Sequence, residues 1–161
     1  MRQLLLCFAI GWTTLLSGCG FHLRGQAPLP AAFATPYLES GDHYTLLYAA
    51  LQTRLRAAGA MLATDPSAAS AVIHLRKDET GREVLSVSAR NTPSEFEVYY
   101  TVEYSVNAGG RELLALQQVT LTRDFSYDET AVLAKEHEEL SLRSALADEL
   151  AGLILRRLAA L

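Results

Sequence analysis

Apolar and polar positions alternate along the chain with two different periods, and the places where one gives way to the other mark its elements. Leu4 to Leu16 is an almost unbroken apolar run, preceded by Arg2 and ended by the small residues of Ser17-Gly18-Cys19. From Gly20 to Pro36 there is little periodicity, and Pro28, Pro30 and Pro36 favour extended backbone, so the stretch reads as a tether leading into a short strand at Tyr37-Leu38-Glu39. Ser40-Gly41-Asp42 is a turn with Asp42 placed to cap a helix. Tyr44, Leu47, Tyr48, Leu51, Leu55 and Ala58 then recur at helical spacing, with Arg54 and Arg56 off the stripe and Gly59 set as the stop.

Beyond a loop at Asp65-Pro66-Ser67 the period changes to two. Ala71 to Arg76 alternates, the polar Lys77-Asp78-Glu79-Thr80-Gly81 interrupts, and Val84 to Arg90 resumes. This fits one long strand with a bulge or two strands joined at Thr80-Gly81, and the pattern does not choose between them. After a turn at Asn91-Thr92-Pro93 comes the clearest alternation of all. Phe96, Val98, Tyr100, Val102, Tyr104 and Val106 point one way; Glu95, Glu97, Tyr99, Thr101, Glu103 and Ser105 point the other. Asn107-Ala108-Gly109-Gly110 closes a hairpin, and the return strand runs from Leu113 to Tyr127 with Leu113, Ala115, Val119, Leu121, Phe125 and Tyr127 on one face, interrupted by Arg123. Asp128 is placed to cap a final long helix whose stripe is Leu133, Leu140, Leu146, Leu150, Leu153, Ile154 and Leu158. The order strand, helix, strands, helix predicts an α+β fold: a single mostly antiparallel sheet of about four strands with two helices packed on one face.

The apolar run at the start has the length and flanks of a secretory signal, and it is shorter than the roughly 20 residues that cross a hydrocarbon core. Leu16-Ser17-Gly18-Cys19 resembles a bacterial lipobox, in which cleavage falls before the cysteine and its thiol takes a diacylglyceryl group. Two or three acyl chains make a stable anchor where one does not. The expected organisation is therefore a cleaved signal peptide over residues 1–18, a lipidated N-terminus and tether over 19–36 and one domain over 37–161. Removing residues 1–18 leaves 13 basic against 18 acidic side chains, a formal −5, which excludes the basic footprint of a nucleic-acid binder. Cys7 departs with the signal and Cys19 carries lipid, so neither disulfide nor catalytic thiol is expected.

Cys19-Gly20-Phe21-His22-Leu23-Arg24-Gly25 resembles the mature N-terminus of the lipopolysaccharide-assembly lipoprotein family LptE, also called rare lipoprotein B. The resemblance continues through the helix ending in Ala58-Gly59, the Glu95-Phe96-Glu97-Val98 strand, Leu133-Ala134-Lys135-Glu136 and the closing Leu155-Arg156-Arg157-Leu158. It implies a lipid-anchored, non-enzymatic protein of the outer membrane, facing the periplasm, that plugs the lumen of the LptD β-barrel one to one, helps that barrel assemble and binds lipopolysaccharide. No cofactor is implied. Gly20 after the lipidated cysteine, where an Asp would resemble an inner-membrane retention signal, agrees with the outer membrane.

Lipopolysaccharide carries phosphates, which Lys and Arg recognise. Arg90, beside the Asn91-Thr92-Pro93 turn, and Lys135, early in the last helix, match basic positions of the family pattern; Arg76, Lys77 and Arg82 form a weaker cluster interleaved with Asp78, Glu79 and Glu83. His22, His43, His74 and His137 lack metal-ligand spacing, and no nucleophile elbow or phosphate-binding glycine loop occurs. A lipid-anchored periplasmic hydrolase would need an acid/base pair that these residues do not supply, and a structural envelope lipoprotein would need a cell-wall site. Mass spectrometry of membrane-extracted protein should show loss of residues 1–18 and a gain of acyl mass at Cys19. Substitution Cys19→Ala should abolish both; an acylated Cys19→Ala protein would refute the assignment.

Overall fold

The computed structural model describes residues 28–161; the signal segment and Cys19 lie outside them. Strand β1 (Pro36–Ser40) leads to helix α1 (Leu46–Ala57), then to three long strands, β2 (Ala71–Val87), β3 (Pro93–Ala108) and β4 (Arg111–Ser126), and finally to helix α2 (Val132–Leu158). The sheet order is β1-β2-β3-β4, with β1 parallel to β2 and the rest antiparallel. The expected α+β class, one mostly antiparallel sheet with two helices on one face, is the fold observed. The parallel pair needs a crossover, and α1 supplies it.

The alternation in β3 is the spine of the core. Val98, Tyr100, Val102 and Val106 lose essentially all solvent contact beneath Leu47, Leu51 and Leu55 of α1 and Leu146, Leu150, Ile154 and Leu158 of α2. The partner strands supply Ile73, Leu75, Leu114 and Phe125, and burial of each such side chain contributes roughly 1.5–3 kcal/mol.

β2 is one strand throughout, which resolves the alternative left open by its pattern. Leu75 pairs with Tyr104 and Lys77 with Glu103, so Arg76 is the extra residue of a bulge, and Asp78, Thr80, Arg82 and Val84 thereafter share the inward face with Leu75. Gly81 sits within the strand because the ring of Tyr99, its cross-strand partner, occupies the space a side chain would take. A Cβ there would lie 2.4 Å from the Tyr99 hydroxyl oxygen.

Several expected positions move. Thr45, not Asp42, caps α1, its hydroxyl accepting from the Tyr48 N–H; Asp42 accepts from the Tyr44 N–H in the preceding turn, and Tyr44 is 96% exposed. In β4, Val106 pairs with Leu114 and Tyr104 with Gln117, so a bulge at Ala115-Leu116 turns Leu114 into the core and leaves Ala115 exposed. Asp128 caps a short 3-10 turn, Glu129–Ala131, and α2 starts after it without a side-chain cap. Leu133 and Leu140, expected in the α2 stripe, are exposed, because the first half of that helix lies over the polar half of β2 and presents Glu139 inward instead.

One polar knot joins α1 to the sheet. The Tyr100 hydroxyl accepts from the Leu47 N–H at 3.2 Å and donates to Asp78 at 2.8 Å, while the Thr45 hydroxyl donates to the other Asp78 oxygen. Two N–H groups that the helix itself leaves unpaired are thereby satisfied. Burial, with the neighbouring Asp78 carboxylate, raises the Tyr100 pKa well above the ordinary tyrosine value, so the phenol stays protonated as this bond requires. Tyr100→Phe should cost about 1–3 kcal/mol, read as a lower denaturant midpoint, since the Leu47 N–H loses its acceptor; an unchanged midpoint would show that the knot contributes nothing.

Candidate functional site

Two of the cationic candidates, Arg90 and Lys135, lie toward the end of the sheet that holds the β2–β3 connection. Register fixes this: Glu95 of β3 pairs with Ser126 of β4, and α2 begins six residues later, so the start of α2 lies at the same end as the Ser88–Thr92 turn. That turn is closed by Ser88, whose backbone N–H donates to the Thr92 carbonyl and whose hydroxyl accepts from the Arg90 N–H. Asn91 takes φ 59, a left-handed conformation that asparagine tolerates better than most residues. Arg90 is exposed at the tip, with no ion pair among the described residues.

Lys135 lies in the first turn of α2, its ammonium 2.8 Å from Glu138 one turn on and its side chain only 18% exposed. Hydrogen bonds from the Thr130 hydroxyl and N–H hold the Asp128 carboxyl below the usual range, and the Lys135 charge adds a smaller pull in the same direction. Of the weaker candidates, Arg76 is the exposed bulge residue and Lys77 pairs with Glu79 at 3.3 Å on the face of the sheet opposite the helices. Arg82 alone of that group faces inward, as the partner of Val98.

Arg82 is part of an arrangement that the sequence pattern did not single out. Its Nη1 donates to Glu139 Oε2 at 2.6 Å, its guanidinium lies 4.7 Å over the Phe96 ring, and the other Glu139 oxygen accepts from Arg143 Nε at 3.1 Å and from Arg143 Nη2. Glu139 is 9% exposed and joins strand to helix across 57 residues of sequence. Together with Glu136 and Leu140 these side chains line an open cleft of about 450 Å3. In the sequence the group shows only as Arg82 among the candidate cations and as Glu139 and Arg143 at the i,i+4 spacing that favours an ion pair.

Among the described residues nothing covers the opposite face of the sheet. Lys77, Glu79, Glu83, Glu97, Tyr99 and the threonines 101, 120 and 122 form a shallow polar surface, with the hydroxyls of Thr101 and Thr120 bonded at 2.9 Å. No group of metal-ligating side chains occurs among the described residues, and no described helix is long and apolar enough to cross a membrane.

The α+β architecture is that of a class of small lipoprotein domains. Solved examples include rare lipoprotein B from Shewanella oneidensis (TM-score 0.68, 29% identity, 78% of this chain and 94% of that one) and lipoprotein B from Nitrosomonas europaea (TM-score 0.72, 27% identity, 88% and 92%). The family model LptE, described as lipopolysaccharide-assembly, matches residues 33–158, and the LPS-assembly lipoprotein LptE of Pectobacterium atrosepticum is 30% identical over 98% of this chain and 86% of its own length. The chain therefore belongs to the LptE family, a non-enzymatic family of lipopolysaccharide-assembly lipoproteins.

The two helices are fastened to each other at their exposed seam. Arg54 of α1 holds Asp148 of α2 through Nε at 2.9 Å and Nη2 at 2.5 Å, with Gly152 leaving room beside the guanidinium. The hydrogen bond to Arg54 outweighs partial desolvation and, with the attraction between the charges, holds the Asp148 carboxyl below the usual aspartate range. A carboxylate lowered on folding stabilises above its unfolded value and loses that contribution as pH falls through its folded value. Asp148 is 60% exposed, so solvent screening limits the effect: Asp148→Asn should cost at most about 1 kcal/mol at pH 7. The difference from the parent should shrink as pH falls below the ordinary aspartate value of about 3.9; a difference in urea midpoint that persisted well below that pH would argue against the pair.

Proposed function

We propose that the protein is anchored in the outer membrane through acyl chains on Cys19, that its domain plugs the lumen of the LptD β-barrel one to one and helps that barrel assemble, and that it binds lipopolysaccharide on the way to the outer leaflet. Membership of the LptE family is the observation that carries this reading. The geometry agrees with it. A wide barrel has a polar, water-filled interior, and a plug suited to it has its own core and a polar outer surface, as the bare face around Glu97, Tyr99, Thr101 and Thr120 provides. At the end holding the β2–β3 turn, Arg90 and Lys135 are the cations proposed for lipopolysaccharide phosphates, Arg90 from a solvated turn and Lys135 after exchanging its Glu138 partner.

Arg90→Glu combined with Lys135→Glu should weaken lipopolysaccharide binding by roughly tenfold or more, the loss of two charge-assisted contacts. Circular dichroism and recovery of the barrel should be unchanged. Equal binding in the double variant would remove these residues from the proposal, and solitary extraction of the native protein in mild detergent would count against the plug itself.

A further inference from the structure

We infer that the cleft between β2 and α2 is a second anion subsite, in which the Glu139 carboxylate is a resident counterion that a phosphate group displaces from Arg82 and Arg143. This rests on the reading that the domain binds a phosphate-bearing lipid, and it names a further part of the surface that does so. A single buried carboxylate needs one well-placed arginine; here two guanidiniums from different elements converge on it, and both border an open cleft. Among the described residues Arg82 donates to protein through Nη1 alone and Arg143 through Nε and Nη2, so donors remain on both forks. Stacking on Phe96 holds the Arg82 fork in place whether or not Glu139 is engaged. The carboxylate already presents two oxygens to two planar forks, the geometry by which arginines grip phosphate.

The rest of the cleft suits a lipid headgroup better than a small, highly charged ion. Leu140 is 60% exposed and gives the rim an apolar wall, while Glu136 adds one opposing charge that disfavours ligands of high negative charge density. The cleft lies in the half of the sheet that leads to the β2–β3 turn, the same half that carries Arg90 and Lys135.

The exchange makes an unusual demand: removing an acid from the cleft must tighten binding. Full-length acylated protein in detergent would be titrated with purified lipopolysaccharide, with and without enzymatic removal of its phosphates. Glu139→Gln should raise affinity severalfold, whereas Glu112→Gln, the same charge change on the exposed opposite end of β4, should not. Arg82→Gln should lower affinity by about tenfold. Equal effects of Glu139→Gln and Glu112→Gln, or a gain that survives phosphate removal, would overturn the subsite. Should Glu139→Gln unfold, Arg82→Lys keeps the charge and loses the fork; binding equal to the parent would be equally fatal.

Competition by millimolar inorganic phosphate separates the sources. Loss of the Glu139→Gln gain would identify the phosphate itself as the recognised group, and its persistence would identify the lipid headgroup; the subsite stands in either case. If Arg90→Glu with Lys135→Glu has no effect while Glu139→Gln still tightens binding, the earlier placement fails and the cleft remains. The converse result removes the cleft and leaves that placement intact.

Discussion

The core is built on the inward face of β3, and the other elements are arranged around that strand. That strand has a neighbour along both edges and two helices above it, and only its apolar alternation allows this: from Val98 to Val106 each inward side chain fills space between β2, β4, α1 and α2. The helices must therefore lie where the apolar stretch is, and their lengths set how much of the sheet they can cover. β2 spans roughly 55 Å as an extended strand, α1 about 18 Å and α2 about 40 Å. Toward the β2–β3 turn α1 gives out and only the first half of α2 lies over the sheet, and there β2 turns Asp78, Thr80 and Arg82 inward instead of aliphatic residues.

That half of β2 is polar for physical reasons that are separate at each position. Asp78 completes the hydrogen bonding of the α1 N-terminus, and the Thr80 hydroxyl bonds the Tyr99 carbonyl. Arg82 meets Glu139 where α2 passes overhead. Each inward polar group thus has a partner, as burial demands. The same half of β2 leads into the turn that carries the exposed Arg90, so the limit of the apolar core and the place of that cation have one origin.

Local periodicity made β3, the Gly109-Gly110 hairpin, the middle of α1 and the second half of α2 legible, because there the neighbours are what an alternating or helical stripe expects. It failed where one extra residue resets the phase. The bulge at Arg76 makes a continuous strand look interrupted, and the bulge at Ala115-Leu116 moves Leu114 into the core. It failed again at Leu133 and Leu140, which continue the α2 stripe in sequence but have no apolar surface below them. The candidate cations were visible as residue types and positions. Which of them converge was not, since the meeting of Arg82 with Glu139 depends on how far α2 travels over the sheet, a property of the assembled fold.

Among the described residues β1 pairs only with the first part of β2, from Ala71 to Leu75, and beyond it β2 is an edge of the sheet. An edge of that length presents a row of open backbone donors and acceptors on which a second chain can propagate a sheet, a hazard for any protein that must travel in concentrated, partly folded company. Here the row is broken by a bulge at Arg76 and another near Leu85, and studded with Arg76, Lys77, Glu79, Arg82 and Glu83. The charges that spoil β2 as an ordinary hydrophobic strand are what keep it single.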